Sequence, residues 1–300
     1  MSMLHWLHSD QVGVAVDVEF GARVCHLVDK ASARDWIAGG PRTPDVGEDA
    51  VFDGAAAYGW DECFPTVGAC DATQTAWGRR LRDHGDLWGR PWKIVAESDV
   101  ELTTQFVGNE FVFTRQLLLD GAALSARYEV RNSLGRPLPF LWAQHGALAV
   151  NAGDRLVLDG LSDFEATYQT LRGKVLPPVK LDWPHISGIG FTADIVQPPD
   201  TRFAAKLYAT GAQGSAIVHA GGDRLDMSWS GPIGHVGLWL NAGGWPDERS
   251  ALHHIAIEPT TSPDDDLAGA LARGRAATLP PHGAMRWSVE IRLGTEIPLA

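Results

Sequence analysis

Cysteine is scarce in this chain. Its 300 residues include three, Cys25, Cys63 and Cys70, too few and too scattered for a disulfide framework. They read as buried free thiols of a reducing compartment. Cations are also short, with 25 lysines and arginines against 37 aspartates and glutamates and a formal net charge of −12. A phosphate-backbone partner needs clustered cations, so nucleic acid is not an expected partner. No apolar run approaches the ~20 residues that span a bilayer, and no membrane partner is expected. The start, "MSMLHWLHSDQ", lacks the basic region and apolar stretch of a secretory signal, so the expected address is the cytoplasm. Also missing are a phosphate-cradling glycine loop, a GxSxG elbow and a CxxC pair. No repeat or low-complexity linker divides the chain. A single domain over residues 1–300 is expected, as a monomer or homodimer.

The dominant period is two. In "QVGVAVDVEF" the residues Val12, Val14, Val16, Val18 and Phe20 share one face. "ELTTQFV", "EFVFTRQLLL" and "ALSARYEVRN", separated by Gly108-Asn109 and Asp120-Gly121, predict a three-strand meander. The pattern returns in "RFAAKLYATG", "SAIVHAGG", "RLDMSWSG", "HVGLWLNAGG", "HHIAIEP" and "MRWSVEIRLG". Helical signals are few. The clearest is "SPDDDLAGALARGRA", with Ser262 as N-cap, Pro263 as first helical residue and three aspartates at the positive end of the dipole. The expected architecture is all-β, a large antiparallel sandwich with few short helices.

Metal-ligand spacing fails. His253 and His254 are adjacent on an expected strand, so they point to opposite faces and cannot share one ion. No metal is expected. What remains is a set of polar residues among aromatics: "YGWDECFPTVG", "RDHGDLWGRPW", "FLWAQHGALAV", "GLWLNAGGWPD" and "HHIAIEPTT". Tryptophan accounts for 12 of the 300 residues, and most of these segments hold one or two. Single tryptophans suit a large core equally well. Beside carboxylates and amides, however, a flat ring suits a sugar, whose C–H face packs on it while its hydroxyls take directional hydrogen bonds. His145 follows the nearly apolar "PFLWAQ", and Glu258 closes the apolar "HIAI". Each is costly to bury without a partner. Near each other they form either a satisfied structural pair or an acid and base of tunable pKa.

These residues resemble the aldose 1-epimerase (galactose mutarotase)-like superfamily over about His84 to Thr261. The "HG" of "DHGDLWGRPW" looks like its first histidine motif, "WAQH" its second histidine strand, and "IAIEPTT" its glutamate strand, in order and at intervals of 61 and 113 residues. The resemblance implies a β-supersandwich and a neutral aldose as small-molecule partner. It implies that Glu258 takes the proton of the anomeric hydroxyl and that His145 protonates the ring oxygen. His84 would bind the sugar near that oxygen, with no metal or cofactor.

The sequence departs from relatives that take hexose phosphates. Asp61, Glu62 and Trp88 stand near positions where those carry arginines, although Arg90 is close by. Carboxylates suit neutral hydroxyls. The strand expected to carry a sugar-binding aspartate offers Lys206 instead, with Asp182, Asp194 and Asp226 as other candidates. Asp61, Glu62, Trp88, Arg90, Lys206, Trp239 and Asn241 are therefore the expected sugar-binding residues. The competing functions are a non-catalytic sugar sensor of the same fold, a hexose-phosphate epimerase, and a polysaccharide hydrolase or lyase.

Overall fold

The computed structural model describes residues 4–40, 46–47, 50–52, 57–211, 214–247 and 252–295. Antiparallel strands dominate them. A larger sheet of twelve strands runs, edge to edge along its main path, through His5–His8, Val12–Asp17, Arg23–Asp29, Trp60–Cys63, Ala143–Leu148, His253–Thr260, His235–Ala242, Phe203–Thr210, Ser162–Leu171 and Lys174–Leu176. A second sheet of eight runs through Arg155–Asp159, Ser215–Ala220, Asp223–Ser230, Ala284–Thr295, Ala123–Asn132, Phe111–Asp120, Glu101–Val107 and Lys93–Glu97. Among the described residues no helix is long and apolar enough to cross a membrane.

The expected meander forms as three neighbouring strands, Glu101–Val107, Phe111–Asp120 and Ala123–Asn132. Strand alternation puts Phe111, Phe113, Leu117 and Leu119 on the inner face, where they are buried. Arg115 falls on the same inner face, fully buried. The large apolar core joins that face to the larger sheet, with Val14, Val24, Leu238 and Ile257 in the same buried cluster as Phe113, Leu117 and Val289.

Two local expectations are corrected. The strand from Val12 ends at Asp17 and is buried on both faces, not on the one face that "QVGVAVDVEF" suggests. Its second face lies under the neighbouring edge strand, where the rings of Trp6 and His8 cover Gly13. The helix is short, as expected, but starts later, spanning Leu267–Ala272, and its N-cap is Asp266 in place of Ser262, with its carboxylate accepting from Gly269 N at 2.7 Å. Ser262 instead donates its hydroxyl to Asp264 at 3.1 Å, and Asp264 accepts from Arg273 at 2.7 Å and Arg275 at 2.9 Å. These bonds hold residues 262–265 in a bent segment before the helix starts.

Candidate active site

Strand register builds the site. Trp60–Cys63, Ala143–Leu148, His253–Thr260, His235–Ala242 and Phe203–Thr210 lie side by side. Asp61 pairs opposite His145. The pairs Ala143–Thr260 and Ala147–Ala256 set His145 opposite Glu258. Glu258 pairs with Gly237, and Gly237 with Tyr208. Directly opposite residues point to the same face of an antiparallel sheet. Asp61, His145, Glu258, Gly237 and Tyr208 therefore form one row across the strands. A second row on the same face, two residues along, holds Tyr168, Lys206 and Trp239.

A cavity of about 280 Å³ lies over these rows. Phe52, Tyr168, Trp239 and Trp245 give it aromatic walls, and His84, His145, Lys206, Glu258 and Asp265 give it polar groups. Glu258 is 1% exposed. Its Oε2 accepts from Lys206 Nζ. Its Oε1 is buried with no hydrogen-bond partner among the described residues, 3.8 Å from His145 Nε2. Burial pushes His145 well below its ordinary 6.5, and the charges of His84, Lys206 and His254 add to the effect. The imidazole is thus held neutral at neutral pH.

His84 reaches the cavity from a loop, not from the sheet. His84 and Gly85 both have positive φ, 57° and 71°. Gly85 is required here, because a Cβ would lie 2.1 Å from the Phe64 carbonyl oxygen. The left-handed backbone costs His84 some strain, offset by close packing. Its ring stacks on Phe52 at 4.0 Å and 14°, and Phe52 meets His145 edge-on at 5.0 Å. Asp83 fixes the His84 ring through Nδ1 at 3.0 Å and accepts from Phe52 N at 2.8 Å. Burial works to raise the Asp83 carboxyl, and the bonds from His84 and Phe52 outweigh it and hold it low.

His84, His145, Lys206, Trp239 and Glu258 share this cavity. Five expected sugar ligands do not line it. Asp61 is 1% exposed and held by Arg23, with Nε at 3.0 Å and Nη2 at 2.6 Å from its Oδ2. Glu62, one residue on, points to the opposite face and into the core. There it accepts from Arg115 at 3.1 Å, Tyr128 at 3.0 Å, Trp60 at 3.1 Å and Trp142 at 2.9 Å. Trp88 is fully buried under the His84 loop, donating Nε1–H to the Asp83 carbonyl at 2.8 Å. Asn241 bridges a turn, donating to the Trp245 carbonyl at 3.0 Å and accepting from Gly244 N at 3.1 Å. It positions Trp245 without reaching the cavity. Arg90 lies on the far side of the loop, in a cleft of about 800 Å³ shared with Arg79 and Arg82. Arg79 there is tied to Asp86, and Arg82 to the carbonyls of Val46, Gly47, Gly85 and Trp88.

Phe52, Tyr168, Trp245 and Asp265 escaped the sequence reading. Trp245 sits in one of the aromatic-rich segments quoted above. Asp265 belongs to the aspartate triplet assigned to the helix start, and accepts from Tyr208 OH at 2.6 Å. Phe52 and Tyr168 carry no signal that separates them from core aromatics. The register also bears out the separation of His253 from His254: His253 Nε2 meets the Gln197 carbonyl at 2.8 Å, while His254 is buried opposite Asn241. Among the described residues no group of three or more His, Cys, Asp or Glu side chains could hold a metal ion.

No protein-family model matches the chain, and no curated protein matches it. Solved structures do. Slr1438 from Synechocystis sp. PCC 6803 has a TM-score of 0.72 at 17% identity, covering 99% of this chain and 97% of that one. A candidate aldose 1-epimerase from Escherichia coli K12 has 0.71 at 14% identity, covering 98% and 99%. A galactose mutarotase related enzyme from Lactobacillus acidophilus has 0.70 at 12% identity, covering 99% of both chains. The chain has the all-β galactose mutarotase-like fold.

Proposed function

We propose that the cavity binds an uncharged aldose and exchanges its anomers. One observation carries this reading: a buried carboxylate oxygen without a partner, Glu258 Oε1, faces His145 Nε2 across 3.8 Å in an aromatic-walled cavity. The sugar's anomeric hydroxyl supplies the missing donor. Glu258 Oε1 takes that proton as C1=O forms and the bond from C1 to the ring oxygen breaks. His145 gives a proton to the ring oxygen. Rotation about C1–C2 and the reverse transfers close the ring as the other anomer, leaving both residues as they began. His84 stands beside His145, ring centroids 5.2 Å apart, to bind the same end of the sugar. Lys206 is committed to Glu258, and no arginine is among the described residues that line the cavity. Among the described residues none of these side chains offers a free Lys or Arg to a phosphate, which supports an unphosphorylated substrate.

Polarimetry with the uncatalysed rate subtracted tests the reading. Glu258→Gln keeps the size but cannot take the proton, and His145→Asn cannot deliver one. Each should lower kcat by about 100-fold or more with the fold intact. The reactive form pairs an ionised Glu258 with a protonated His145. Burial makes that imidazolium scarce at neutral pH, so kcat/KM should rise as the pH is lowered from neutrality toward the histidine's titration below 6.5. Unchanged turnover in Glu258→Gln removes the base. A sugar-binding protein without catalysis is the second reading, favoured by the Lys206 contact that already occupies half of Glu258. Sugar binding in calorimetry with no anomer exchange would establish it.

A further inference from the structure

The contact between Lys206 and Glu258 depends on a missing side chain. Gly237 lies opposite Glu258 in register. A Cβ there would stand 3.1 Å from Glu258 Oε2 and 3.2 Å from Lys206 Nζ, tighter than ordinary contact. Glycine at this point of the row leaves the space in which ammonium and carboxylate meet. Both partners are buried, Lys206 at 8% exposure and Glu258 at 1%, so neither charge is well hydrated and each offsets the desolvation of the other. The other titratable groups facing Glu258 do not replace the lysine. His145 stands 3.8 Å from Oε1. Tyr208 donates to Asp265, and the buried thiol of Cys63 feels both the Glu258 and the Lys206 charge.

We propose that Lys206 is a positioning residue for Glu258: it holds one carboxylate oxygen so that the other alone faces the sugar, and its charge stabilises the ionised base. This rests on the anomer-exchange reading for its kinetic consequence only, because the contact is made between two side chains of the chain itself. Held at Oε2, Glu258 presents Oε1 on the His145 side, and the base and the acid face the same hemiacetal.

The test compares wild type with Lys206→Met, Lys206→Arg and Gly237→Ala. Two measurements are made: the pH profile of kcat/KM by polarimetry, and the titration of the Glu258 carboxyl by ¹³C NMR without sugar, its resonance assigned from its loss in Glu258→Gln. In Lys206→Met, kcat at neutral pH should fall by about tenfold or more while KM changes little, and both the acidic limb and the carboxyl titration should move up by about one pH unit. Lys206→Arg should restore most of both. Gly237→Ala keeps both charges but crowds their contact, and should move limb and titration the same way by less. It carries the test if Lys206→Met does not fold. An unmoved limb and titration in the variants that fold would overturn the proposal. So would a rise in KM alone, which would make Lys206 a sugar ligand. If wild type exchanges no anomers, the function fails, and the NMR titration still decides the role of Lys206.

Discussion

His254 is buried opposite Asn241 on the same strand face as Glu258, and burial, aided by the charge of His253, pushes its titration from 6.5 down to about 4. The consequence is a dependence of stability on pH. Above 6.5 the imidazole is neutral in both the folded and the unfolded chain, and folding loses nothing. Between 6.5 and about 4 the unfolded chain binds a proton that the folded one refuses, so stability falls as the pH drops, by about 3 kcal/mol in total. Glu62 acts with the opposite sign. Burial raises it from 4.5 to about 7 against the pull of Arg115, so its share of stability is present at low pH and is lost as the pH rises through that range. The two overlap, and only a comparison separates them. Chemical denaturation should show wild type losing more stability than His254→Gln on going from neutral to acid pH. Equal losses would mean that His254 is not held neutral.

At the scale of elements, the segment 262–272 shows how neighbouring residues divide their work. Asp264 gathers Arg273 and Arg275. Asp265 lines the cavity and accepts from Tyr208, and Asp266 caps the helix. Three aspartates in a row ahead of an apolar stretch look alike as helix-starting charge. They differ because the chain ahead of the helix bends at residues 263, 265 and 266, so successive side chains leave in different directions. Two substitutions should separate the roles. Asp266→Ala should cost about 1 kcal/mol of stability and leave sugar affinity alone. Asp265→Asn should weaken sugar binding in calorimetry with a smaller loss of stability. The reverse pattern would move the cavity wall to Asp266.

At the scale of the molecule, the two sheets are tied through a charged pair in the core. Arg115 from the smaller sheet meets Glu62 from the larger one at 3.1 Å, both with fully buried side chains, and Tyr128, Trp60 and Trp142 complete the carboxylate's partners. Glu62→Leu removes the acceptor that Arg115, Tyr128, Trp60 and Trp142 share and leaves those buried donors unpaired, and should cost about 3–5 kcal/mol in urea denaturation. The double variant Glu62→Leu, Arg115→Met should recover part of it. A Glu62 variant of full stability that lost only sugar affinity would return this residue to the cavity. The sequence by itself determined the strands, through alternation such as Phe111 to Leu119, and singled out His145 and Glu258 as polar residues at the ends of apolar runs. Both are local properties, written in the order of neighbouring side chains. Tertiary structure alone decided which face each residue joins and what stands opposite it. A register shift of one residue exchanges the faces of a strand. So Asp61 and Glu62 could not be told apart as a cavity-side and a core carboxylate. Nor could Lys206 be matched to Glu258 across 52 positions, because that contact follows from two ladder registers and the gap left by Gly237, and no local pattern encodes it.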